Sequence, residues 1–166
     1  MSENENAQID KDQPLFEILR IYAKDCSLET PSSPKVFLQP LKPSIGIDFD
    51  TKTQKIDDDQ YEVDLRITAT CKSEIDGKEE VVYICEVHQA GAFMIKNMDE
   101  ESIEYLLIGL APNILFPYAR EHVSSLVNRA TFPALNLRPI NFEALYRARK
   151  AEEAEGKEQS SENPAQ

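Results

Sequence analysis

Tryptophan is absent from the 166 residues, glycine occurs 5 times, cysteine 3 times and histidine twice. Each shortage removes a class of chemistry. So few glycines leave no Gly-rich loop to cradle a phosphate, and there is no nucleophile elbow. Cys26, Cys71 and Cys85 are odd in number and include no Cys-x-x-Cys pair, so neither a zinc site nor a disulfide framework is indicated. Each lies in an alternating apolar segment, where a thiol is ordinarily a small buried hydrophobe. His88 and His122 stand far apart without ligand spacing. The acids that cluster, Asp57 to Asp59 and Asp99 to Glu101, fall at turns, where solvation explains them. No catalytic residue, metal ligand or cofactor is therefore expected, and the chain reads as a non-enzyme.

Long hydrophobic runs are missing too. The longest, near Tyr105 to Phe116, is broken by Gly109, Pro112 and Asn113 and is too short to span a bilayer. Residues 1–13 are acidic without an apolar run, which excludes a secretory signal and leaves a cytoplasmic protein without membrane insertion as the expectation. Bases are scarce relative to acids, 18 against 30, for a net charge of -12. That charge sits at the two ends and over the first half, while residues 96–149 balance to zero. Such a field disfavours nucleic acid and anionic lipid and suits either plain solubility or a basic protein partner. The length fits one domain, 14–149, between a disordered acidic start, 1–13, and a largely disordered acidic tail, 150–166.

What the chain has in quantity is alternation. From Tyr61 to Cys71 the odd positions are apolar and the even ones polar, a strand with one wet face. Val81, Tyr83, Cys85, Val87, Phe93 and Ile95 repeat the pattern, and Ile45, Ile47 and Phe49 make a third strand. Leu15 to Leu28 is a fourth, bulged because apolar residues occupy both parities. A two-residue Asp76-Gly77 turn would oppose odd residues to even ones and split the apolar faces. A three-residue loop, Ile75 to Gly77, is therefore expected, with Ile67 facing Cys85, Leu65 facing Val87, Arg66 facing Glu86 and Asp64 facing His88. Prolines 31, 34, 40 and 43 forbid helix between the strands and hold an extended crossover.

Helices follow the sheet. Asn97 with Glu100 reads as a helix start above the stripe Ile103, Leu106, Leu107 and Leu110. Leu115, Ala119, Val123, Leu126, Val127 and Ala130 form the stripe of a longer helix, which Pro117 restricts to about Tyr118 to Arg129. A last helix opens at Asn141, with Ile140 and Leu145 placed for a hydrophobic staple, and is expected to fray before Gly156, with Gln159 onward disordered. The fold class is α+β: a four-stranded antiparallel sheet with a long helix and a shorter C-terminal helix packed on one side.

The runs Pro112-Asn-Ile-Leu-Phe-Pro-Tyr-Ala-Arg-Glu121, Asn128-Arg-Ala-Thr-Phe-Pro133 and Leu137-Arg-Pro-Ile-Asn-Phe142 closely resemble the SecB protein-export chaperones. So do Arg20-Ile-Tyr-Ala-Lys-Asp25, Val36-Phe37, Asp59-Gln-Tyr-Glu-Val63 and Ile84-Cys-Glu-Val-His-Gln-Ala-Gly91, and together they cover about residues 15–146. The resemblance implies a chaperone that holds unfolded secretory precursors in the cytoplasm and delivers them to the SecA motor, working as a homotetramer built as a dimer of dimers. It implies client contacts at Val36, Phe37, Leu41, Phe142, Leu145 and Tyr146, SecA contacts at Asp25, Glu29, Ile84 and Glu86, and an oligomer interface supported by Cys85, Val87 and Gln89. Two departures from the family pattern stand out: Leu41 where a tryptophan is common, and Ala130 where a glycine often ends the long helix in a left-handed conformation. The alternatives are a SecB-like chaperone dedicated to one client, such as an antitoxin, and a small-ligand-binding domain on a similar sheet.

Overall fold

The computed structural model of the chain describes residues 12–161. Strands β1 (Leu15–Glu29), β2 (Ser44–Asp57), β3 (Gln60–Ile75) and β4 (Lys78–Lys96) form one antiparallel sheet in the order β1-β4-β3-β2. The last three follow one another as a meander, and residues 30–43 cross from β1 at one edge to β2 at the other. Alternation decides the layers. Val63, Leu65, Ile67 and Ala69 of β3 and Cys85, Val87 and Phe93 of β4 are fully buried in one cluster with Leu115, Ala119, Val123 and Val127 of the long helix. Each large aliphatic side chain so buried contributes roughly 1.5–3 kcal/mol, enough for packing to dominate local propensity. The even positions of β3, and of β4 from Ile84 on, face away from the helices, whereas in β1 Phe16, Cys26 and Leu28 lie on the helix side, opposite Ile95, Val87 and Cys85. This is the expected fold class, and the expected bulging of β1 appears as two register shifts, after Ile18 and after Ala23.

The β3–β4 hairpin departs from expectation in an informative way. Ile75 opposes Lys78, so the turn is the two-residue Asp76-Gly77, with φ of 50° and 78° as a type I′ turn requires. The parity conflict is removed further along. Cys71 opposes Tyr83 while Lys72 opposes Val81, which leaves Val82 as a bulge residue. Beyond it odd meets odd again, with Ile67 on Val87 and Leu65 on Gln89. The expected partners are thus each displaced by two residues: Arg66 faces His88 and Asp64 faces Ala90. A bulge is silent in the sequence because Val82 is as apolar as its neighbours.

Prolines constrain the chain less than expected. Lys35–Leu38 forms a single 3-10 turn inside the proline-rich crossover. The long helix α2 runs from Ala111 to Arg129 with Pro117 inside it. It continues α1 (Glu100–Tyr105) through a π-helical segment, Leu106–Leu110, so the helical backbone is unbroken from Glu100. Pro117 itself is exposed, so its ring displaces no buried packing. Burial of Leu115, Phe116, Ala119 and Val123 against the sheet outweighs the roughly 3 kcal/mol that an internal proline costs.

The helix ends are also corrected. Asp99, not Asn97, caps α1 by accepting the Ser102 amide at 2.8 Å, while Asn97 turns left-handed at φ 56° and donates its side-chain amide to the Gln13 carbonyl. At the end of α2, Ala130 has φ −83° and ψ 11°, and the left-handed residue is Thr131 at φ 66°. Asn141 does cap the last helix, α3 (Phe142–Ser161), through the Ala144 amide at 3.0 Å. That helix runs past Gly156 to Ser161 instead of fraying before it. Residues 1–11 and 162–166, which hold most of the expected disordered ends, lie outside the described residues.

Candidate functional site

On the helix side the cover runs out at β2. This strand is an edge, so Ile45, Ile47 and Phe49, although opposite buried Cys71, Ala69 and Ile67, stay 42%, 37% and 42% exposed. At one end of β2 the crossover adds apolar surface. Val36 is fully buried and pins the turn, whereas Phe37 is half exposed, Leu38 is 85% exposed and Leu41 packs partly on the core. Phe37 stacks on Phe132 with ring centroids 5.4 Å apart, and Phe132 leans on Tyr83 at 5.3 Å. The crossover is tied to the β3–β4 hairpin by Ser32 Oγ donating to the Val81 carbonyl at 2.6 Å, the Lys42 amide donating to Ser73 Oγ at 3.0 Å, and a Lys35–Asp76 ion pair.

At the other end α3 lies across the π segment. Phe142 meets Phe49 edge-on at 5.5 Å and Phe116 at 5.9 Å, and Asn113 fixes the helix start by accepting the Phe142 amide at 3.0 Å. A cleft of about 230 Å³ opens here between Phe49, Thr51, Ile108, Phe142, Leu145 and Tyr146. Of the six expected client residues, Phe142, Leu145 and Tyr146 thus meet in one cleft, while Val36, Phe37 and Leu41 belong to the crossover end. Val36, Phe142 and Tyr146 are packing residues, and Leu145 is half exposed. The expected client residues did not include Leu38 of the crossover, nor Ile45, Ile47 and Phe49, which connect the two ends. The alternation of the last three was legible, but the edge position that uncovers them was not.

The opposite face of the sheet is polar. Register places Asp25 opposite His88, Ser27 opposite Glu86 and Glu29 opposite Ile84, which brings the four residues expected to meet SecA onto adjacent rungs of β1 and β4. Glu86 accepts from Thr68 Oγ1 at 3.0 Å and lies 3.3 Å from His88 Nε2. The Thr68 hydroxyl, helped by His88 and Arg66 and opposed by partial burial, holds its carboxyl below the usual range. Further along, Glu62 gathers Tyr22, Lys24 at 2.7 Å and Gln54 at 2.8 Å. Burial pushes its pKa up, but the Lys24 and Tyr22 hydrogen bonds and the Lys24 charge win, and the net shift is downward. Burial and the same carboxylate push the Tyr22 hydroxyl up to about 12. Tyr22 and Lys24 reach β3 from β1 across the small Ala90 and Ala92 of β4.

Cys85, Val87 and Gln89 lie on the helix side, all but fully buried. Burial pushes the Cys85 thiol up to about 11, and the Gln89 side-chain oxygen has no hydrogen-bond partner among the described residues. Among those residues no group of three His, Cys, Asp or Glu could hold a metal ion, and no helix is long and apolar enough to cross a membrane.

Residues 9–153 match the family model described as "Preprotein translocase subunit SecB". The chain is 49% identical over 156 residues to the protein-export protein SecB of Idiomarina loihiensis, covering 92% of this chain and 91% of that one. It is 48% identical over 141 residues to that of Pseudomonas aeruginosa, covering 85% of each. Among solved structures its fold is similar to that of a SecB-like chaperone of Mycobacterium tuberculosis in complex with an antitoxin peptide. That likeness has a TM-score of 0.57 at 19% identity and covers 75% of this chain and 90% of the other.

Proposed function

The chain belongs to the SecB family and is a chaperone of preprotein export, and on that premise we propose that it holds unfolded precursors along the apolar strip beside β2 and passes them to SecA through the acidic face. The observation that carries the first half is the uncovered row from Phe37 and Leu38 through Ile45, Ile47 and Phe49 to Leu145, next to a strand edge with no neighbour among the described residues. An unfolded chain offers apolar side chains and unpaired backbone groups but no fixed motif. A strip of half-exposed side chains beside an open strand edge meets that need without demanding a sequence. Direct contact falls to the exposed members, while Val36, Phe142 and Tyr146 hold the loop and helix that frame them.

SecA docking is assigned to Asp25, Glu29, Ile84 and Glu86, where acids surround an isoleucine that folding alone leaves unexplained. The assembly is a homotetramer, a dimer of dimers, in the cytoplasm. Cys85, Val87 and Gln89 are too deeply buried to touch another subunit and act on that interface through the helix above them. A client restricted to one antitoxin is the narrower alternative. It would show as failure to hold secretory precursors.

The test combines Phe37→Ser with Leu145→Ser, one half-exposed residue from each end of the strip. Holding of a urea-unfolded secretory precursor is expected to weaken at least about tenfold, the scale of two partly buried large side chains. Elution volume on size exclusion is expected to stay that of the wild type. Undiminished holding by the double variant would remove the strip as the client site.

A further inference from the structure

At the centre of the acidic face one histidine touches two carboxylates. His88 Nδ1 lies 3.1 Å from Asp64 and Nε2 lies 3.3 Å from Glu86. A neutral imidazole carries one ring proton, so it can donate to one of these acids and must turn a lone pair towards the other. Only the imidazolium satisfies both contacts. The two ends of this chain of groups differ. The Asp64 side chain is 11% exposed and has Lys24 at 3.8 Å, whereas that of Glu86 is 35% exposed and is held otherwise by Thr68. The remaining charged neighbours are Asp25, opposite His88 on β1, and Arg66, opposite it on β3 and turned towards Asp50 of β2 at 3.9 Å.

We propose that His88 is a proton-operated positioning residue for Glu86. With both ring nitrogens protonated it ties Glu86 down to the sheet and cancels its charge towards a basic partner. With one proton it keeps Asp64 and lets Glu86 swing outward to dock. The inference rests on the reading that SecA docks through Glu86, and it makes that docking sensitive to pH through one ring proton.

Binding of the full-length protein to purified SecA is measured at constant ionic strength at about pH 8 and about pH 6. Wild type is expected to bind about tenfold more weakly at the lower pH, the scale of one charge-assisted contact. His88→Gln, which keeps a neutral donor and cannot titrate, is expected to lose most of that difference. The same pH dependence in both proteins overturns the proposal. Crystal structures of the wild type at the two pH values test the lock without SecA. Glu86 is expected within hydrogen-bond distance of His88 at low pH and turned away at high pH, and an unmoved Glu86 overturns the lock. A Glu86→Gln protein that binds SecA normally at high pH, while the Glu86 side chain of the wild type still moves between the two crystals, identifies the docking assignment as the error.

Discussion

Replacing Thr131 by glycine is expected to stabilise the protein. Helix α2 ends at Arg129, and two residues later the chain takes a left-handed turn at Thr131, φ 66°. That conformation costs an L-residue roughly 1–2 kcal/mol, and a β-branched side chain is among the least suited to it. The Thr131 amide donates to the Asn128 carbonyl at 2.9 Å and the Ala130 amide to that of Val127 at 3.2 Å; glycine preserves both. The threonine side chain is exposed, so no buried area is lost. Against the relief stands the greater freedom of glycine in the unfolded chain, roughly 0.4–1 kcal/mol. The difference leaves a gain of about 0.5–1 kcal/mol. Ala130 is the internal control. It is not left-handed, so Ala130→Gly is expected to lose up to about 1 kcal/mol through backbone entropy. Urea unfolding at fixed protein concentration reads both, as shifts of the midpoint at unchanged slope. A less stable Thr131→Gly protein, or a more stable Ala130→Gly one, would refute the reasoning and return the left-handed residue to position 130.

Two further outcomes follow from the hairpin and the polar face. The folded pKa of Glu62 is depressed, so its contribution is fully present above its unfolded value of about 4.5 and is lost as pH falls through the lower folded value. Glu62→Gln is therefore expected to lower stability at neutral pH and to flatten the acid side of the stability curve, and an acid limb as steep as that of the wild type would show that Glu62 is not the group responsible. Deleting Val82 removes the bulge but leaves the turn and the flanking pairs, Lys72 with Val81 and Cys71 with Tyr83, so odd still meets odd along the rest of the pair. The deleted protein is expected to keep its fold and to lose roughly 1.5–3 kcal/mol with the fully buried Val82 side chain, and a molten protein without a sharp unfolding transition would show that the bulge itself is required.

The faces of the strands were legible because burial imposes a period of two that Leu65, Ile67, Val87 and Phe93 display openly. The exact pairing was not. It depends on Val82, a single extra residue whose chemistry matches its surroundings, and on an Asp-Gly turn whose local preference had to be reconciled with a distant bulge. Pro117 misled for a related reason: a local rule about helices yielded to the packing of Leu115, Phe116 and Ala119. At the candidate sites, the family resemblance pointed to Phe37, Leu145, Ile84 and Glu86. Strand order alone revealed that Ile45, Ile47 and Phe49 are uncovered, and although His88 was expected beside Asp64, its second contact, with Glu86, was not.

The small side chains of β4 have a mechanical consequence. An edge strand ordinarily hangs on the sheet by one ladder of backbone bonds and is the first to peel away. Here Tyr22 and Lys24 pass over Ala90, which is fully buried beneath them on the helix-free face, and take hold of Glu62 one strand further in. They act as a cross-brace, so that peeling β1 off β4 must also tear it from β3. Bulk at position 90 or 92 would act as a wedge under the brace, loosening an edge of the sheet without touching the hydrophobic layer.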